Sequence, residues 1–267
     1  MRLSEKISKN LDEIKKYLYC GYASWDGLID RIKGQEINPK NDFTDEQIWT
    51  FIIACGYAIT GKNGLKKISY LLTNRTDLTT EKIWFEVLPS SPRDMEGSTH
   101  LDLAIGDIAI RKGTGSGIEL NDTENSWISF CEMKWYSDIS HNVSYDQHRN
   151  QLARVIENAL LFKNENNYAK KVFVNLVTPG IFKNLDNKSR MYCYKFQDYK
   201  KSLKVLESDI KNCKLDYKNS ENKNYIDKRI PILKLNWTTF DSLFESLPES
   251  DISNEIREFE KKYNKAK

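Results

Sequence analysis

The chain has 267 residues, 39% of them hydrophobic and 30% charged, and its net charge is +3. That length supports a buried core without disulfides, and the near balance of charge excludes a strongly basic protein that coats polyanions. The five cysteines are odd in number and lack C-x-x-C spacing, which argues against both a disulfide framework and a cysteine zinc site. The longest apolar stretch, IWTFIIACGYAI at 48–59, is too short to span a bilayer, and no basic-then-apolar leader opens the sequence. The expectation is a cytoplasmic protein with no membrane partner.

Residues 4–19 carry Leu11, Ile14 and Leu18 at helical spacing. TDEQIWTFIIACGYAIT begins with Thr44 as a cap and an acidic first turn, which predicts a second helix, and NGLKKISYLLT predicts a third after a glycine break. TTEKIWFEVL reads as a short helix stopped by Pro89, and PSSPRDMEGSTH as a loop. After residue 100 the pattern changes to two strands, HLDLAIGDIAIR and SWISFCEMKWY. KGTGSG and NDTEN join them, so an antiparallel hairpin with a long tip is the simplest pairing. SYDQHRNQLARVIENALLF then predicts an amphipathic helix, KKVFVNLVTP a buried strand, 188–211 a long helix and RIPILKLNWTTF a last strand, before two short helices. This order implies an α/β fold, a mixed central sheet with an antiparallel hairpin flanked by helices and linked by right-handed crossovers. Residues 1–78 form a helical N-terminal region, either a lobe or a layer on the core, and 79–267 form the core with its C-terminal helices.

Within WISFCEMKWY only Glu132 and Lys134 interrupt an apolar, aromatic run. Strand alternation puts them on one face with Ile128, Phe130 and Tyr136, and puts Trp127, Cys131, Met133 and Trp135 on the other. With Arg111 opposite Trp127 across the hairpin, Asp107 faces Cys131 and lies one row from Glu132. Asp102 lies further back on the same strand, and Glu96 precedes it in the loop. Carboxylates this close raise each other's pKa unless a cation joins them. Oxygen ligands suit a hard divalent ion, magnesium first and manganese in its place.

The pattern GDIAIR, a loop, then WISFCEMK resembles the PD-(D/E)XK, or restriction-endonuclease-like, nuclease superfamily. Asp107, Glu132 and Lys134 carry the match, with Gly106 in place of the family's Pro and Asp102 as the competing first aspartate. The resemblance spans about 79–237 and implies a restriction-endonuclease-like core. It further implies magnesium-dependent hydrolysis of phosphodiester bonds, with DNA as the first-choice substrate and RNA as the second, in a restriction or phage-defence role. Asp107 and Glu132 would hold the ion, Asp102 and Glu96 rank second as ligands, and the Met133 carbonyl is a further ligand by resemblance. Lys134 would act on a water or a phosphate. Gln151 or Gln147, on a polar helix stripe with Arg154 and Asn158, occupies the position from which a glutamine helps order the site in some members.

Other features point elsewhere. His100, His141 and His148 are too far apart for a helical zinc pair. GTGSG at 113–117 lacks the Lys-Ser/Thr of a phosphate-binding loop and reads as a hairpin tip. A noncatalytic nucleic-acid-binding or scaffold protein is the alternative from another class. A homodimer and a regulatory partner both stay open. All candidate ligands lie between 96 and 134, so the N-terminal third is expected to serve substrate engagement or assembly rather than chemistry.

Overall fold

The computed structural model describes the chain except residues 41–42, 122, 141–148, 166, 184–189 and 265–267. It opens with α1 (Leu3–Lys9), α2 (Leu11–Tyr17), the short strand β1 (Leu18–Cys20), α3 (Trp25–Ile37), α4 (Glu46–Ala58) and α5 (Lys62–Thr73). Strands β2 (Ile83–Pro89), β3 (Leu101–Gly106), β4 (Ile108–Ile110), β5 (Gly117–Leu120) and β6 (Trp127–Met133) follow. Next come α6 (Gln151–Leu160), the small ribbon β7 (Lys163–Asn164) and β8 (Asn167–Tyr168), and β9 (Lys171–Thr178). The chain continues through α7 (Gly180–Lys183), α8 (Met191–Lys201), α9 (Leu203–Lys211), α10 (Ser220–Arg229), β10 (Leu233–Thr239), α11 (Phe240–Glu245) and α12 (Asp251–Tyr263).

Among the described residues the central sheet has eight strands in the order β10-β9-β6-β3-β2-β5-β4, with β1 beside β2. β3 runs antiparallel to both of its neighbours, β2 and β6, whereas β9 runs parallel to β6 and β10 parallel to β9. The sheet is therefore mixed and covered by helices. One apolar core joins α1–α5, α11 and α12 to a sheet face through Phe85, Leu103, Cys131 and Met133. The other joins α6 and α8–α10 to the opposite face through Ala104, Ile128, Phe130 and Val174. The N-terminal helices are thus a layer on the sheet. Their most apolar member, α4, is buried at every position from Ile48 to Ala58.

Several expected elements differ. TTEKIWFEVL forms β2, because Phe85 packs into one core and Trp84 into the other; burial on both faces removes the alternation that marks a strand. The cap of α4 is Asp45, whose side chain accepts from the Ile48 amide at 3.2 Å, rather than Thr44. The helix expected over 188–211 is two helices broken at Ser202, which is extended. The start of the helix expected from 144, with Gln147, His141 and His148, lies outside the described residues; the described part is α6.

The proposed hairpin also changes. HLDLAIGDIAIR divides at Gly106, which has φ +126° and lies so close to the Trp127 carbonyl that a Cβ would collide with it. Beyond it, β4 turns away to pair with β5, and GTGSG lies in the turn between them.

Candidate active site

Pairing of β3 with β6 runs from Gly106 opposite Ile128 to Leu103 opposite Cys131. The next row sets Asp102 against Glu132, four residues from the register that brought Asp107 to this place. Asp107 instead stands at the other end of the pair. Its carboxylate accepts from the Trp127 amide at 3.0 Å and from the Thr123 hydroxyl at 3.3 Å. Burial raises its pKa and these hydrogen bonds oppose the rise. The placement of Asp107 beside Glu132 is therefore corrected: the aspartate in that position is Asp102.

Asp102 Oδ2 accepts from the Met133 amide at 2.7 Å, which ties the aspartate to the end of β6. Among the described residues Oδ1 makes no hydrogen bond, and the residue keeps part of its surface open. Burial and then the charge of Glu132 push the Asp102 carboxyl well above the usual range, against the pull of Lys134. Glu132 is 2% exposed and is raised by burial, with Lys134 opposing. Lys134 Nζ lies 2.6 Å from Glu132 Oε1, a buried ion pair. Burial works against the ammonium, yet Glu132, Asp102 and Glu46 outweigh it and hold the Lys134 pKa above its ordinary value.

One more carboxylate reaches this place and another lies in its row. Glu46, at the first turn of α4, accepts from Lys134 Nζ at 3.2 Å, from the Trp135 amide at 2.8 Å and from the Ser137 hydroxyl at 2.6 Å. Because Asp45 caps the helix, Glu46 is free to project from it. The Trp49 ring of the same helix stacks on Trp135, with centroids 4.5 Å apart, and locks α4 to the end of β6.

Glu86 of β2 is the other. Pairing of Phe85 with Leu103 and of Val87 with Leu101 leaves it in the row of Asp102. Its φ of +52° is costly for a residue with a side chain. Phe85 enters one core and Val87 the other, so strand alternation breaks at this residue. Burial raises its pKa, while Gln47 and His100 oppose the rise.

The remaining candidates have other partners. Glu96 is enclosed by the Ser91 hydroxyl, by Arg149 and by Arg154 Nε at 3.0 Å. Arg149 also pairs with Glu157, which holds Arg93 at 2.7 Å. This buried ion-pair chain spends the Glu96 carboxylate, so its ranking as a ligand is corrected. The Gln151 side chain accepts from the Ser140 amide at 3.1 Å, which closes the loop ahead of α6.

No family model, curated protein or solved structure matches the chain. Among the described residues no three His, Cys, Asp or Glu side chains form a ready metal cluster. The donors nevertheless fit a hard divalent ion: two facing carboxylates raised by burial, one of them with an oxygen that makes no hydrogen bond among the described residues. Glu46, from the N-terminal helices, joins the candidate residues between 96 and 134 at this place, and Glu86 lies in the row of Asp102. The acidic first turn of α4 is the sequence signal for Glu46, and it serves the start of a helix equally well. No sequence signal marked Glu86, because its row follows from the register of β2.

Proposed function

We propose that the chain is a divalent-cation-dependent nuclease of restriction-endonuclease-like type, with magnesium as the ion and DNA ahead of RNA as substrate. The observation that supports this reading is Asp102 facing Glu132 on antiparallel strands, with Lys134 two residues further on and 2.6 Å from Glu132. Asp102 and Glu132 would hold the ion, with the Met133 carbonyl beside them. Such an ion polarises a phosphodiester and lowers the pKa of a bound water.

The chain's own groups supply the rest. The carboxylates around Lys134 favour its ammonium form, in which it would stabilise negative charge on the phosphate and orient the attacking water. Glu46 receives one Lys134 hydrogen bond and aims the ammonium from the α4 side. The amide of Met133 fixes Asp102, so the two carboxylates keep their facing geometry.

A second reading rests on the same ammonium. Lys134 bridges Glu132 and Glu46, as a purely structural ion pair does. A noncatalytic nucleic-acid-binding protein of that kind would bind equally well with or without magnesium. Incubation of the purified chain with plasmid and with labelled RNA, in magnesium or in chelator, separates the two. Magnesium-dependent cleavage is the expected result, and binding without cleavage in either condition would overturn the nuclease reading.

A further inference from the structure

Beside the carboxylates the structure carries an exposed aromatic pair that neither core uses. Tyr22 is 68% exposed, and its ring meets that of His100 edge-on, with centroids 4.9 Å apart and planes at 89°. His100 is exposed and lies two residues before Asp102.

The backbone beneath Tyr22 is held firmly. Gly21 donates to the Phe85 carbonyl at 2.9 Å and Tyr22 to the Glu86 carbonyl at 2.7 Å. The approach is so close that a Cβ on Gly21 would stand 2.5 Å from the Glu86 oxygen. The crossing falls where β1 ends and where Glu86 takes its left-handed conformation. Thus the chain fixes a water-exposed tyrosine next to the row of Glu86, Asp102 and Glu132. An edge-on pair leaves at least one face of each ring uncovered by the other.

We propose that Tyr22 and His100 form a stacking platform for an unpaired nucleobase beside the scissile phosphate, which makes the substrate single-stranded or locally unpaired nucleic acid. This inference rests on the nuclease reading for its phosphate and adds the substrate class. Any base presents a π-face, so such a platform tolerates sequence, and its loss typically weakens binding by roughly 5- to 100-fold. A duplex with its bases stacked internally gains nothing from it.

The test uses the full chain with calcium in place of magnesium and three probes labelled with 2-aminopurine: single-stranded DNA, single-stranded RNA and duplex DNA. Fluorescence should be quenched on binding of a single strand to the wild type and to Tyr22→Phe. Tyr22→Ala should lose the quenching and bind roughly 5- to 100-fold more weakly, with duplex binding unchanged. The DNA and RNA arms identify the source of the base. Wild-type chain that binds no single strand, or binds without quenching, overturns the proposal without requiring any variant to fold. Equal binding and quenching by Tyr22→Ala also overturns it. A Tyr22→Phe variant as weak as Tyr22→Ala, with a melting curve like that of the wild type, assigns the effect to the hydroxyl and overturns stacking as well. Cleavage in magnesium is scored separately. Stacking without cleavage removes the nuclease reading and keeps a base-binding site, whereas cleavage without stacking does the reverse.

Discussion

The two ends of the β3–β6 pair each carry an aspartate, and the surroundings of the two differ in kind. Asp107 accepts from the Trp127 amide and the Thr123 hydroxyl, so its charge is satisfied by neutral donors. Asp102 has one amide donor and, around it, the charges of Glu132, Lys134 and Glu46. A carboxylate answered by hydrogen bonds holds a turn together. One crowded by like charges costs the fold stability and persists where another role maintains it.

The largest expected effect comes from the end of β6. Glu132→Gln and Lys134→Ala should each lower magnesium-dependent cleavage by roughly 10²–10⁴-fold. Circular dichroism of the purified variants would verify that the fold survives. Cleavage near the wild-type rate by either one would make the charged pair structural and erase the difference between the two ends.

Next comes the direct comparison of the aspartates. Asp102→Asn should lose at least about 10²-fold in rate. Asp107→Ala should cleave within a few-fold of wild type but melt lower, with about 1 kcal/mol lost through its hydrogen bonds, or about 2–4 °C. The reverse ranking in paired turnover and melting assays would return Asp107 to the site.

A smaller effect is expected from the supporting layer. Glu46→Gln should reduce the rate by about 10-fold, because it weakens the hold on Lys134 without removing a facing carboxylate. A rate unchanged within twofold would confine Glu46 to joining α4 to β6.

The smallest effect concerns stability against pH in chelator. The raised carboxyl of Asp102 means that the folded chain keeps a proton the unfolded chain releases, so stability falls as pH rises from the ordinary carboxylate value through the raised one. Asp102→Asn removes that loss. It should be more stable than wild type by about 1 kcal/mol at neutral pH, and the gap should close in acid. Urea titrations across that range measure it, and parallel curves at every pH would show that the like-charge crowding has no energetic weight.

These experiments bear on what the sequence could convey. Glu132 and Lys134 were legible because two charges in an apolar strand are conspicuous, and the mixed sheet followed from the order of the elements. The partner aspartate was not, since setting Arg111 opposite Trp127 requires one continuous strand through Gly106. In the structure β3 stops there and β4 goes to β5. Likewise β2 reads as a helix because both of its faces are buried and its apolar run has no polar side to reveal it. Register and two-sided burial depend on residues far apart in the chain, and local periodicity carries neither.

The stacked indoles of Trp49 and Trp135 have a practical consequence. Indole emission responds to electric fields, and one ring belongs to the residue after Lys134 while its backbone amide is held by Glu46. The protein therefore carries a built-in optical gauge at its candidate site, and a titration that redistributes charge around Lys134 is readable in the intrinsic fluorescence of an unlabelled chain.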